Sequence, residues 1–254
     1  MPDIAVIFPP IAHDSGGLPL YRVVKRSLLR AIESGACAAG EALPSEAALA
    51  GSFGVSIGTL RHAVDELVAE HILVRRQGLG TFVALHTEDR FLFQFFHVER
   101  ADGLRGLPRV EFVAFSRVRI EEEEAAALQV RPGDPGIQID NRLLLQGRVV
   151  VHDRITLAAN SFKGLTERRF RERPSTIYHL YQTEFGITVT QARERARAIA
   201  ADRTSARLLG VAPGTPLLQL RRTALTFGDR PVEYRVSTVN TAQHDYVNLL
   251  SRPA

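Results

Sequence analysis

Sulfur and tryptophan are almost missing from this chain of 254 residues, which has one cysteine (Cys37), one methionine and no tryptophan. A single cysteine excludes an intrachain disulfide framework and any multi-cysteine metal site. The histidines are scattered without a His-x₃-His spacing, so no metal is expected. No apolar run reaches 18 residues, which leaves nothing to span a membrane. Residues 1–17 contain Asp3 and Asp14 and no basic residue, the wrong charge for a secretory signal. The expected compartment is therefore the cytosol.

Lysine is also scarce, present only at Lys25 and Lys163, with arginine supplying the rest of the 32 basic residues. The formal charge of +4 does not point to a basic domain. Residues 18–85 hold seven basic side chains (Arg22, Lys25, Arg26, Arg30, Arg61, Arg75, Arg76) against six acidic ones, a balance of +1. Placement, not total charge, has to identify any nucleic-acid surface.

What is present divides the chain in two. Residues 1–17, with Pro9, Pro10, Gly16 and Gly17 and no sustained period, read as a flexible leader. Leu20, Val24, Leu28 and Ile32 then recur every four residues, the signature of an amphipathic helix, with Gly35 as its stop. Ser45 offers an N-cap for a short helix Glu46–Phe53 closed by Gly54, and Ser56 caps a third helix with a stripe of Leu60, Ala63, Val64, Leu67 and Val68. Ile72–Val74 and Gly80–Val83 flank Gln77-Gly78-Leu79 as a hairpin. Helix, short helix, tight turn, longer helix and glycine-rich hairpin is the order of a winged helix-turn-helix over residues 18–85.

In that arrangement the third helix would enter the major groove by its N-terminal turn, presenting Ser56, Ile57, Thr59 and Arg61 with His62 beside them. Backbone amides at Ser45 and Ser56 can meet phosphates. The tip Arg75-Arg76-Gln77-Gly78-Leu79-Gly80-Thr81 joins two arginines to small residues able to approach a narrow groove. A trihelical core with a hairpin also serves as a protein-binding module, and His62 reads as a surface residue near phosphate.

Leu43-Pro44-Ser45-Glu46, Leu49-Ala50, Phe53-Gly54-Val55-Ser56, Thr59-Leu60-Arg61 and Arg76-Gln77-Gly78-Leu79-Gly80-Thr81-Phe82-Val83 together resemble the GntR family of bacterial regulators. The resemblance implies DNA contacts at Ser45, Glu46, Ser56, Thr59, Arg61, Gln77 and Gly78. Two positions depart from it: Ala47 and Ile57 stand where relatives often carry guanine-reading arginines. Neither can make a bidentate guanine contact; Ile57 either touches a thymine methyl or turns inward.

After a break expected as a linker over 86–92, strand candidates fall at Val110–Val118, Gly136–Leu145, Val149–Leu157, Ile187–Ala198, Pro216–Phe227 and Pro231–Asn240. Helices are expected at Glu122–Leu128, Ser175–Phe185 and Thr204–Leu209. An internal echo links Ala125–Gly133 to Ser205–Gly214, each a helix, a Pro-Gly turn and then a strand pair. The expected fold class is α+β in two domains. A mixed C-terminal domain, two related halves around an antiparallel sheet, follows the winged helix over residues 93–250.

Asn141-Arg142-Leu143, Ser175-Thr176-Ile177-Tyr178, the Ala206–Gly214 turn and Arg230-Pro231-Val232-Glu233-Tyr234 resemble the HutC branch of that family. Its UTRA effector domain has a chorismate-lyase-like fold. By resemblance the ligand-binding residues are Arg142, Asp153, Arg154, Ser175, Tyr178, Glu233 and Tyr234. Leu144 replaces the second arginine of the relatives' Arg-x-Arg pair, which favours a carboxylate metabolite over a phosphorylated sugar. Plainer readings stay open: Arg142 as an ion-pair partner of Asp140 or Asp153, Tyr178 as core, Glu233 with Arg235 as an exposed strand pair. Glu121–Glu124 reads as a solvated helix start.

The implied function is a transcription regulator, a repressor, that binds a palindromic double-stranded operator as a homodimer and responds to a small anionic effector, with no cofactor. An enzyme lacks support, because no nucleophile-elbow serine, phosphate-binding glycine loop or metal motif occurs. A sequence-indifferent DNA-binding protein is disfavoured by the +1 balance of the winged helix.

Overall fold

The computed structural model describes residues 4–11, 17–88 and 94–248. The expected linker falls mostly outside these, as do residues 12–16 of the leader. The chain forms two compact units: residues 1–85 with 181–190, and residues 86–180 with 191–254.

In the first unit, α2 (Leu20–Glu33) buries Val24, Leu28, Ala31 and Ile32. The four-residue spacing of these side chains turns one stripe inward, and Lys25 beside it donates to Glu66 of α4 (Ile57–Ala69) and to Glu70 at its C-cap, 2.6 Å each. The short α3 (Glu46–Phe53) starts where the Ser45 hydroxyl accepts from the Ala48 amide at 3.2 Å. It stops at Gly54, whose φ of +70° is a left-handed conformation that favours glycine. Ser56 caps α4 in the same way, accepting from Thr59 N at 3.1 Å. The hairpin pairs β1 (Leu73–Arg76) with β2 (Gly80–Val83), from Leu73↔Val83 to Arg76↔Gly80.

Residues 4–11 correct the expectation of a flexible leader. Ile4–Ile7 forms one helical turn (α1), and Phe8 is 1% exposed, edge-on to Phe53 with ring centroids 5.6 Å apart. Ser52 donates to the Phe8 carbonyl, and Ile11 N to the Phe53 carbonyl at 3.0 Å. A lone aromatic among prolines has no period, so its burial left no pattern to read.

The first unit also takes in residues 181–190, expected in the C-terminal domain. Gln182 Nε2 donates to the Ala84 carbonyl at 3.0 Å and to Thr188 Oγ1 at 3.3 Å, satisfying buried polar groups that apolar spacing does not report.

The second unit is a six-stranded antiparallel sheet in the order β4-β5-β6-β9-β8-β7. The strands are β4 (Arg109–Arg119), β5 (Pro135–Leu145), β6 (Arg148–Ala158), β7 (Gln191–Ala200), β8 (Pro216–Leu225) and β9 (Pro231–Val239). Between β4 and β5 lies α5 (Glu122–Leu128), and between β7 and β8 lies α8 (Arg203–Leu209). The internal echo is thus a doubled strand–helix–hairpin unit, with β6 and β9 meeting at the centre. The matched Pro-Gly turns place Gly133 and Gly214 at φ +85° and +83°.

Three elements lie outside the expected set: α6 (Glu167–Arg171) and a small pair of β3 (Val98–Arg100) with β10 (His244–Tyr246). All are too short to show a period. The helix expected from Ser175 begins at Ile177 (α7, Ile177–Phe185), and the strand expected from Ile187 begins at Gln191. Side-chain alternation separates two faces. Helix α5 packs on one, where Thr156 donates to Glu124 at 2.7 Å. The other carries Leu143, Val151, Leu220 and Val239 as core.

Two predictions follow from this packing. Phe8→Ala should lower the stability of the first unit by about 3 kcal/mol, the usual loss for a buried phenylalanine; its thermal transition, followed by circular dichroism, should drop while that of the second unit does not move. His97 precedes β3 and His244 opens β10, and burial pushes both imidazoles below their ordinary pKa. Arg222 and Arg105 add to this at His97, with Glu194 and the Val247 backbone opposing; at His244 Arg100 and Arg148 add and Asp245 opposes. The unfolded chain then binds the proton more readily. The stabilisation should be complete above the free imidazole value of about 6.5 and decline as pH falls through it toward the folded pKa. Thermal midpoints between pH 8 and 5 should show that loss, reduced in His97→Phe and His244→Phe.

Candidate nucleic-acid interface and ligand cavity

The first unit gathers its charged surface around the start of α3. Glu46, in the first turn, accepts from Arg61 Nε at 2.6 Å and lies 3.7 Å from Arg75 Nη2. Arg75 Nη1 also meets Asp65 at 2.5 Å. One acid therefore ties α4 and the hairpin to the N-terminus of α3. These pairs are half-exposed, and such surface pairs are worth only about 0–1 kcal/mol, so a phosphate could replace Glu46 at little cost. Arg76 lies over the Phe82 ring, 4.6 Å from its centroid, which holds the guanidinium back against β2.

Ser45, Glu46, Arg75, Arg76, Gln77, Gly78 and Thr81 line one groove between the α3 start and the hairpin. Gly78 at the tip has φ +73°, and Leu79 beside it is 71% exposed. At the α4 start the Ser56 and Thr59 hydroxyls are 2.9 Å apart. Ile57, for which an outward and an inward orientation were open, is 45% exposed. His62 takes a different place: it stacks on Tyr21 with centroids 3.9 Å apart and planes 6° from parallel. Tyr21 and Asp65 are the participants the sequence reading missed, since neither carries a motif.

In the second unit, a cavity of about 120 Å³ opens on the sheet face opposite α5. Its polar lining includes Asn141, Asp153, Ser175, Arg173 and Arg235, with Leu143, Ile155 and Phe170 among its apolar walls. Asp153 accepts from Arg235 Nη1 at 3.0 Å and from Ser237 Oγ at 2.5 Å. Arg235 also donates to both oxygens of Glu233, at 3.0 and 3.1 Å, and Tyr178 donates to Glu233 at 3.1 Å. Arg235, Asp153 and Glu233 are 5%, 3% and 0% exposed. Burial works against the Arg235 charge, but Glu233 and Asp153 reverse that and hold its pKa well above the ordinary value. Burial, then Glu233, pushes the Tyr178 hydroxyl up, so it stays a protonated donor. Asn141 is 3% exposed, and its Oδ1 has no hydrogen-bond partner among the described residues.

The expected ligand residues do not all come together. Asp153 and Ser175 line the cavity; Tyr178 and Glu233 stand behind it, joined to Arg235. Arg142, Arg154 and Tyr234 lie on the opposite sheet face. Arg142 Nη2 pairs with Glu111 at 2.8 Å, Arg154 with Asp140 at 3.0 Å, and the Tyr234 hydroxyl with Glu123. The strand period of two decides this: Asn141, not Arg142, shares the side of its cross-strand partner Asp153. The reading of Glu233 and Arg235 as an exposed strand pair is overturned by their burial. Arg235 could have been found by parity, two residues from Glu233 on the same strand.

Two family patterns match this chain: that described as bacterial regulatory proteins, gntR family, over residues 20–83, and the UTRA domain over residues 104–245. The histidine utilization repressor of Pseudomonas aeruginosa is 30% identical over 84% of this chain and 85% of its own. The HTH-type transcriptional repressor NagR of Bacillus subtilis is 27% identical over 92% and 96%. The crystallised ligand-binding domain of a GntR-family regulator from Bordetella bronchiseptica is 33% identical, with a TM-score of 0.59 over 63% of this chain and 99% of that one. These relatives are transcriptional repressors and regulators, not enzymes.

Removing Arg235 should leave two carboxylates buried without their cation. Arg235→Ala is expected to cost about 3–5 kcal/mol in urea unfolding of the second unit. Arg142→Ala, which breaks a partly exposed pair, should cost about 1 kcal/mol or less. Equal losses would contradict the placement of the two arginines.

Proposed function

As the chain belongs to the GntR family, with a winged helix followed by a UTRA domain, we propose that it is a repressor whose operator binding is controlled by a small metabolite in the Asn141–Asp153 cavity. The carrying observation is Asn141, a buried amide aimed into a cavity with its oxygen unpartnered. Buried polar atoms are almost always hydrogen-bonded, and a ligand donor would complete this one. The cavity is smaller than the roughly 300–1,000 Å³ of drug-sized ligand sites, which suits a compact metabolite.

The effector charge follows from the lining. The expectation of an anion rested on Arg142, which pairs with Glu111 on the other face. Arg235 is already shared by Asp153 and Glu233; the second arginine of the lining is Arg173, whose Nη1 donates to the Phe170 carbonyl at 2.6 Å, and Glu88 stands at the same cavity. A compact carboxylate with a second hydrogen-bonding group, held between Arg173 and Asn141, fits these residues.

On the DNA side, the reading is that a homodimer sets two α4 N-termini into successive major grooves of a palindrome. Ser45, Ser56 and Thr59 serve the backbone, Ile57 meets a thymine methyl, Arg61 faces base edges, and Arg75 to Thr81 follow the adjacent groove. Effector binding would change operator affinity about 5- to 150-fold for a coupling of roughly 1–3 kcal/mol.

Selection of random duplexes against the full chain should enrich a palindrome whose capture falls when a pool of small carboxylates is added. Asn141→Ala should retain the palindrome and lose the response to the pool. Arg76→Ala should weaken binding to all duplexes and reduce the salt slope by about one phosphate contact. Failure to enrich any sequence would remove the repressor reading; an unchanged response in Asn141→Ala would remove the cavity.

A further inference from the structure

A second, larger cavity is on the face opposite the proposed effector cavity. It encloses about 570 Å³ between α5 and strands β7, β8 and β9. That volume lies within the roughly 300–1,000 Å³ typical of small-molecule sites. One wall is the edge strand β7, which sends Arg193, Arg195 and Arg197 to a single side at successive alternate positions. Side chains two apart on a strand are separated by about 6.5–7 Å, so the three guanidinium groups form a ladder. Ala126 and Ala127 on α5 keep the facing wall low, and the Thr223 and Tyr234 side chains form the floor.

The charges of this groove are unbalanced. Four arginines (193, 195, 197 and 221) face two carboxylates (Glu123 and Asp229), a balance of +2. Both acids are engaged: Glu123 takes Arg221 at 2.5 Å and the Tyr234 hydroxyl, and Asp229 accepts from Gln191. Arg193, Arg195 and Arg197 are exposed and have no ion pair or side-chain hydrogen bond among the described residues. Register sharpens the contrast. On the other face of the same strand pair, Glu194 is opposite Arg222 and the two join at 2.7 Å. On this face Arg195 is directly opposite Arg221, an unfavourable like-charge pair whose one acid, Glu123, is taken by Arg221.

We propose that this groove is a second ligand site, for a small organic anion with at least two oxyanion groups. Arginines at this pitch each pair one phosphate or carboxylate bidentately, and two such groups neutralise the excess charge. Phosphate esters and polycarboxylates share this chemistry. The site is separate from the Asn141 cavity and does not rest on the reading of that cavity.

The test is calorimetric titration of the full chain with inorganic pyrophosphate and with citrate, at one fixed ionic strength. Saturable binding of either is expected, and the probe that binds tighter tells phosphate from carboxylate. The triple variant Arg193→Ser, Arg195→Ser, Arg197→Ser should bind at least tenfold more weakly with an unchanged thermal midpoint, because these side chains hold no structural partner. Arg168→Ser, an exposed arginine outside the lining of either cavity, should bind as the parent does. No binding of either probe at millimolar concentration, or equal binding by the triple variant, would overturn the proposal. So would a triple variant that changes oligomeric state or loses duplex affinity while neither probe binds the parent; the ladder would then be a contact to a second copy or to nucleic acid.

Discussion

Arg235 lies buried between two carboxylates where the halves of the sheet meet, and much of the second unit is arranged around it. Asp153 on β6 and Glu233 on β9 each take part of its guanidinium. Strands β6 and β9 form the central pair of the sheet. Desolvating three charges is costly, and the arrangement is favourable only while every oxygen and N–H keeps a partner. Ser237 and Tyr178 supply the remaining donors. The network thus constrains α7 through Tyr178 as well as the seam between the halves.

The same network shapes the cavity beside it. Because Asp153 and Arg235 satisfy each other, their charge is largely cancelled where they reach the lining. In the proposed reading, selectivity would fall to the groups without an internal role, Asn141 foremost. The opposite face is built differently. Its central polar side chains pair locally, as Arg142 does with Glu111 and Arg154 with Asp140, while the β7 edge keeps three arginines without acids among the described residues. One sheet therefore presents a compact, nearly neutral cavity on one side and an open cationic groove on the other. The doubled strand–helix–hairpin order makes this possible, since both helices pack on the groove side and leave the other face to α7 and the loops.

In the winged helix the organising residue is Glu46. It is weakly paired with Arg61 and Arg75, at a helix start where an anion is favoured. The arginines are thereby held near the surface they would use, at an energy small enough to be exchanged for phosphate.

The sequence by itself determined the local structure. Serine caps at 45 and 56, the Gly54 stop, the stripes of α2 and α4 and the hairpin glycines each act within a few residues, so their pattern is written in order along the chain. The doubled half-domain was legible for the same reason, through its repeated helix and Pro-Gly turn. Sequence did not determine which polar residues share a cavity. That depended on strand register, where a shift of one residue moves a side chain to the other face and separates Arg142 from Asp153. The burial of Phe8, the docking of Gln182 on the Ala84 carbonyl and the stacking of His62 on Tyr21 join residues far apart in the chain. Tertiary structure alone decided these, because such contacts are set by three-dimensional packing and leave no period in the sequence.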